Sequence, residues 1–522
     1  MLKNINKLLV LVLLLVFGCD DFLDDTNVDS NTPDQVSVSM RLTYAENQVF
    51  EFLGDEQNDR FGSLFAQYLS NGDGRENVDT YDLEGNGGDG FYLYHGALKD
   101  LDQMYDEIEA TGISHAHYIG VGKIIEATAL GALTDAMGDI PYSQALQGSD
   151  QIYPEYDTQE AIYQTIQTLL SDAITELSKS ESVALKGDFL LNNDPNQWII
   201  LAHLLKARYY NHLSEVDPQG SATSALNEIN AAIAAGWDTS MNFEMQYEGN
   251  TDHFNNLNLM QVDAIINASF RFLDMLKTTN DPRLFAYFYP LKVNVTADPD
   301  QLSDGGKQIL NYRPDLSGKD TTVLDVIGEH IGDPTTLSEY GSSVGLVYSE
   351  KDAPMPIILA AEVKFIEAEA ALRAGNSARA ESAFEEAVQA HLDLVIPRLK
   401  SRLNSFKSRN LADVAITSNV DAILAGIDTQ IADYIANYGS ASGATITLEE
   451  IMTQKYKAMF LQGIESWTDL RRHNFAYPSS YFTSPIASGD FATRLPYPIS
   501  EKQRNRAEIP DDDLFLKLWW DK

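Results

Sequence analysis

Between residues 358 and 395 the chain places its small residues at a spacing that leaves few packings open. Leu359, Val363, Ile366 and Ala370 recur at helical spacing, and Gly375-Asn376 ends the run. A second helix is predicted from about Ser377, with Ala380, Phe384, Ala387 and His391 on one face. Because Ala368, Gly375, Ala380 and Ala387 carry little side chain, two antiparallel helices can approach closely there while Phe384 fills the gap. Gly220, Ala225, Ile229 and Ala232 repeat the register behind a helix predicted from about Pro195 to Ser214.

This register is that of a tetratricopeptide repeat. A simpler alternative, two ordinary helical hairpins, stays open because the aromatic positions of the first repeat helix are not matched. The same periodicity predicts helices over about 36–54, 92–110, 114–137, 158–178, 260–277 and 448–472, the last introduced by a Thr447/Glu450 capping box. Residues 281–356 lose the pattern to Gly, Pro, Asp and Thr and read as loops and short strands. Within them Phe285, Tyr287, Phe288 and Tyr289 read as core or strand packing in alternation. Residues 71–90 carry six glycines among many acids, and long irregular insertions in helical proteins are commonly functional. The expected fold is mainly α: a tetratricopeptide-like helical-pair scaffold with loop-rich insertions and a few short strands.

The amino-terminal stretch has a different logic. Lys3 and Lys7 precede ten apolar residues, Leu8 to Phe17, then Gly18 and Cys19, the chain's single cysteine. That run is half of the roughly 20 residues a spanning helix needs, and it ends as a cleavable signal with a lipobox does. Residues 1–18 are therefore expected to be a signal peptide and Cys19 the lipidated first residue, held on a membrane by several acyl chains. Residues 19–35, opening Asp20-Asp21-Phe22-Leu23-Asp24-Asp25, read as an acidic tether, and residues 36–522 as a single helical domain. One cysteine leaves no disulfide, thiol nucleophile or cysteine metal site.

Charge narrows the partners. With 77 acidic against 37 basic residues and a formal net charge of −40, nucleic acid is an improbable partner, and membrane contact must come through the lipid anchor alone. Gly85, Gly87 and Gly90 match G-x-G-x-x-G, but neighbouring acids would repel phosphate. Gly341, Ser343 and Gly345 match G-x-S-x-G without the apolar strand a nucleophile elbow requires. His115 and His117, two apart, point in different directions on a helix and suit a surface better than zinc. Acids are too abundant for any pair to signal glycoside hydrolysis. Structural calcium is the one cofactor entertained, through Asn71, Asp73, Glu76 and Asp79 or Asp298, Asp300 and Asp304, though neither group has full calcium-loop spacing. No catalytic or metal residues are assigned.

Five stretches carry a family resemblance: Leu133 to Leu146 (LTDAMGDIPYSQAL), Asn192 to Ser214 (NNDPNQWIILAHLLKARYYNHLS), Ala361 to Asn376 (AEVKFIEAEAALRAGN), Gln454 to Arg472 (QKYKAMFLQGIESWTDLRR) and Arg494 to Ser500 (RLPYPIS). In this order, behind a lipobox, the chain resembles the SusD/RagB-type outer-membrane nutrient-binding lipoproteins. The resemblance implies tetratricopeptide-like helical pairs with a loop-rich binding face, surface exposure on a Gram-negative outer membrane, and a SusC-like TonB-dependent transporter over which the lipoprotein acts as a lid. The acidic run behind Cys19 resembles the surface-export signal of such lipoproteins. The shared motifs themselves are architectural. Gly138-Asp139-Ile140-Pro141 reads as a helix stop, Asp194-Pro195 as an N-cap with proline at the first helical position, and Trp467 with Arg471 and Arg472 as a helix end packed on the core.

An oligosaccharide or peptide ligand needs aromatic faces beside hydrogen-bonding groups. Arg75, Asn77 and Tyr81 lie in the glycine-rich loop, Phe91, Tyr92 and Tyr94 at its exit, and Tyr312 and Tyr340 in the irregular middle region. In starch-binding relatives an aromatic near the start of the equivalent helix contributes to the ligand platform, which raises Phe91 and Tyr92 above the rest. Two other readings stay open: a membrane-tethered helical-repeat scaffold binding only protein partners, and a hydrolase hidden in the acidic loops.

Overall fold

The computed structural model describes residues 36–54, 58–71, 78–81, 83, 90–249, 266–288, 347–348, 350–409, 414–443 and 445–522. The signal peptide, Cys19 and the tether lie outside them. In chain order the helices are α1 (Val38–Leu53), α2 (Asn58–Phe65), α3 (Lys99–Thr111), α4 (Ala116–Met137), α5 (Gln159–Leu177), α6 (Pro195–His212), α7 (Pro218–Ala234), α8 (Phe270–Thr278), α9 (Leu284–Tyr287), α10 (Ala360–Arg373), α11 (Ser377–Arg409), α12 (Val414–Tyr438), α13 (Leu448–Ala458), α14 (Gly463–Arg472) and α15 (Ile499–Arg504). Short strands β1 (Leu69–Asn71) and β3 (Ile266–Ala268) pair antiparallel with Leu69 opposite Ala268, and β2 (Phe243–Met245) pairs antiparallel with β4 (Met355–Ile358).

Three antiparallel pairs form the scaffold: α4 with α5, α6 with α7, and α10 with α11. They stack in that order, α5 touching α6 and α7 touching α10. The small residues of the predicted register sit where it requires them, since Ala225, Ala232, Ala368, Ala380 and Ala387 are fully buried. Gly375, at φ +76°, supplies the left-handed step after α10 that a residue with a Cβ adopts only under strain. Asp194 caps α6 by accepting from the Asn196 amide at 2.9 Å. The Thr447/Glu450 capping box opens α13.

Ions cross the interior of this stack. The Arg208 guanidinium is bidentate to Glu362, at 2.6 and 2.7 Å, and gives a third bond to the Ile357 carbonyl. His212 sits between Glu465 at 2.8 Å and Asp135 at 3.3 Å. Burial alone would lower the imidazole, but the two carboxylates outweigh it and raise it to about 9. Arg472 spans Glu369 and Asp469 at 2.6 to 3.0 Å, and Lys455 meets Asp469 at 2.7 Å. Three helices of the stack, α4, α6 and α10, and both α13 and α14 are thus joined by charge pairs that cannot be separated in place without stranding an ion in the core.

A late segment closes the first pair. The Leu495 amide donates to Ala136 at 2.7 Å, Arg494 donates to Met137, and the Trp519 amide donates to Gln159 at 3.0 Å. The Arg471 guanidinium lies 3.7 Å from the Trp467 ring centre and 4.9 Å from that of buried Trp520.

Several expectations are corrected. The predicted helix over 448–472 is two helices. Leu461, at φ +59°, breaks it so that Phe460 enters an aromatic cluster with Tyr68, Phe272 and Tyr287. Gly463 then lies against Gly62, where a Cβ on Gly62 would overlap the Gly463 backbone, so α2 and α14 cross at van der Waals distance. The helix expected from 260 begins at Phe270, because Ile266–Ala268 pairs as a strand instead. The helix of the third pair runs on through Pro397 to Arg409, held by buried Leu399 and Leu403 and by Arg398 bidentate to Glu244. Tyr287 belongs to a helical turn rather than an alternating strand; it and Phe288 are buried as expected. Tyr289 and most of 281–356 lie outside the described residues.

Candidate ligand-binding site

The exit of the glycine-rich loop is shaped before any helix begins. Gly90 sits where a Cβ would press on Leu133 and the Phe52 ring, so the chain enters the body closely there. A π-helical turn over Tyr94–Leu98 follows, with Gly96 out of helical conformation, and only then does α3 start. Such turns widen a helix and present side chains a regular one would stagger. This sets Phe91, Tyr92, Tyr94 and His95 along one wall of a cavity of about 410 Å³. Pro141, Ala145 and Leu146 from the loop after α4, together with Pro154 and with Ser500, Glu501 and Arg504 of α15, complete its lining.

The wall is aromatic and fixed. Phe91 meets Tyr94 edge-on with ring centres 5.1 Å apart, and Tyr92 meets Phe52 likewise at 5.6 Å. The Tyr94 hydroxyl donates to the Pro141 carbonyl at 2.6 Å. Burial, with Glu501 nearby, raises that phenol well above its ordinary range, so it stays a neutral donor. The loop after α4 is held by Asp157, which accepts from the Tyr142 and Ser143 amides at 2.9 and 2.7 Å. Behind Glu501, Tyr156 donates to it at 3.1 Å and packs edge-on against Tyr497. Ile152, Tyr153 and Ile499, next in sequence to the lining residues, leave 45 to 63 % of their surface in solvent. Exposed apolar side chains near an aromatic cavity are a common mark of a recognition surface.

Of the residues selected by sequence, Phe91, Tyr92 and Tyr94 are brought together in this cavity. Tyr81 is not among them. It is buried at φ +65°, its ring against Phe65 and Phe515, and desolvation raises its hydroxyl. Arg75, Asn77, Tyr312 and Tyr340 lie outside the described residues, as do Gly85 and Gly87, the Gly341–Gly345 match, and the side chains proposed for calcium. Among the described residues no group of three or more His, Cys, Asp or Glu side chains is arranged to hold a metal. His115 and His117 contact backbone carbonyls of Ile113 and Lys179. The sequence reading missed Leu146, Pro154 and Arg504; only the tyrosines at 142, 153 and 156 hinted at that side.

A second cavity, about 220 Å³, lies beside Phe475, Phe491 and Phe515. Its polar groups are spent on one another: Lys517 bonds Asn474 at 2.5 Å and Asp521 at 3.2 Å.

The architecture defines a helical-repeat protein that carries an aromatic, solvent-open cavity on its loop-rich face. No helix among the described residues is long and apolar enough to cross a membrane. Residues 30–498 match the family model SusD-like_2, described as starch-binding associating with outer membrane, and the chain belongs to this SusD-like family. Solved structures share the fold. A SusD homolog from Bacteroides fragilis aligns with TM-score 0.66 and 20% identity, covering 94% of this chain and 100% of that one. A SusD/RagB family protein from Bacteroides thetaiotaomicron gives 0.65 and 22%, covering 93% and 99%. A structure named as a chitin-binding protein gives 0.65 and 19%, covering 93% and 100%. A search of curated proteins finds no match.

Proposed function

We propose that this protein captures an oligomeric nutrient, glycan or peptide, in the cavity walled by Phe91, Tyr92 and Tyr94, and delivers it unaltered to a TonB-dependent outer-membrane transporter. It acts as that transporter's lid, moored to the cell surface by lipid on Cys19, with residues 36–522 as one domain. The observation that carries the reading is the aromatic wall itself: three rings in fixed geometry, open to solvent, with hydrogen-bonding side chains in the same lining. The family description names starch and one structural relative is named for chitin, which favours a saccharide. Glu501 is the one carboxylate among the described residues of the lining, which supports capture over a hydrolysis that needs two.

Isothermal calorimetry of the lipid-free protein against glycan and peptide panels tests this. Saturable binding is expected, weakened roughly tenfold or more by Phe91→Ala. Absence of binding, or binding indifferent to that substitution, would remove the cavity from the reading. Co-purification of a barrel in mild detergent tests delivery, and intact mass from native envelopes tests acylation of Cys19.

A further inference from the structure

The charged groups of the Phe91 cavity are partnered unequally. Several acceptors already hold a donor: the Pro141 carbonyl holds the Tyr94 hydroxyl at 2.6 Å, Leu146 the Lys99 ammonium at 3.0 Å, Pro154 the Asn505 amide at 3.0 Å, and one Glu501 oxygen the Tyr156 hydroxyl at 3.1 Å. The donors are open. Arg504 and His95 line the cavity, both exposed, and among the described residues neither has an ion pair or side-chain hydrogen bond. Lys502, on the same helix, has found Asp512 at 2.6 Å. Glu501, three residues before Arg504 and so on the same face, is held by a tyrosine instead.

We propose that the cavity selects an anionic oligosaccharide, one bearing a uronate carboxylate or a sulfate ester, with the acid group on Arg504 and a sugar ring against Phe91 and Tyr92. The inference rests on the cavity being the ligand site. A guanidinium presents parallel N–H donors that fit two oxygens of one acid group, and such charge-assisted pairs are stronger than neutral ones. A saccharide suits the remainder better than a peptide. Sugar hydroxyls can accept from the open donors and donate to the lining carbonyls, while the apolar faces of the sugar rings suit Phe91 and Tyr92.

The test is calorimetry on the lipid-free protein at low salt, with each acid probe matched to a neutral counterpart. One arm uses oligogalacturonates and oligoglucuronates against their carboxyl-reduced forms; the other uses sulfated galactan oligosaccharides against desulfated ones. At least one acid form is expected to bind roughly tenfold tighter than its neutral partner, and Arg504→Gln should erase that difference. Arg504 is exposed, so thermal melts of the variant should match the parent. The arm that responds identifies the acid group. Equal binding of neutral and acid forms, an acid preference that survives Arg504→Gln, or no binding of any acid glycan overturns the proposal, as does Arg504-dependent binding confined to acidic peptides. Neutral glycans whose binding is still lost in Phe91→Ala would overturn the charge selection alone; indifference to Phe91→Ala would overturn the cavity with it.

Discussion

The ion network inside the helical stack and the cavity at its surface use the same residue types to opposite ends. In the core, Arg472 is enclosed by Glu369 and Asp469, and Arg208 by Glu362 with Glu465 at 3.6 Å. At the cavity several acceptors likewise hold a protein donor, yet Arg504 and His95 face solvent without protein partners among the described residues. A charge whose partners are all intramolecular can only hold a shape. A charge left open beside rigid aromatic faces can hold something else, and its rigid surroundings lower the ordering cost of doing so.

The contrast can be broken most violently in the core. Arg472→Ala leaves Glu369, which its neighbours hold well below the usual carboxylate range, buried beside one fewer cation. Urea unfolding should show a loss of roughly 3–5 kcal/mol, and the folded fraction should bind ligand normally. A loss under 1 kcal/mol would mean that the network is not structural.

Next comes Glu46, buried on α1 beside Asp188, where desolvation and then the neighbouring carboxylate raise it to about 10. Asp188 already accepts from the Leu191 and Asn193 amides and the Trp198 indole. A carboxyl raised on folding contributes stability that is full below its ordinary value near 4.5 and is lost as pH climbs toward 10. Stability should therefore fall by about 3 kcal/mol between pH 4.5 and 7 through this group, and Glu46→Gln should flatten that slope in thermal melts. An unchanged slope would show Glu46 ionised in the fold.

The cavity gives the converse experiment. Phe91→Ala should cost roughly tenfold in ligand affinity and, because Phe91 is only half-buried, under about 2 kcal/mol in stability. If stability collapsed while affinity held, the aromatic wall would be scaffold after all. The smallest effect is expected at Thr447→Ala, about 1 kcal/mol from the capping box, with affinity untouched.

The scaffold was legible in the sequence where a local rule had one solution. Ala380 and Ala387 mark close helix contact, Asp194-Pro195 a start, and Gly375 a stop. It was illegible where distant packing overrode local preference. Pro397 ordinarily ends a helix, but α11 continues because Leu399, Leu403 and the Arg398–Glu244 pair are held from outside it. Helix α12 was not predicted at all; polar and small residues interrupt its apolar face, and much of it is exposed. The site divides in the same way. Phe91, Tyr92 and Tyr94 are near neighbours whose clustering shows in the primary structure, whereas Arg504 lies some four hundred residues away, and nothing local distinguishes it from any surface arginine.

Trp520, packed on Arg471 and fastened through Trp519 to the start of α5, carries a consequence for how the chain is made. A polypeptide emerging from the ribosome amino end first must release residues as far as Trp519 and Trp520 before the first helical pair, far upstream, receives its cover. Contacts spanning that much sequence form slowly. The nascent molecule should thus remain loose and threadable until those tryptophans have been made, a useful state for any protein that has to pass through a narrow translocation pore before it hardens.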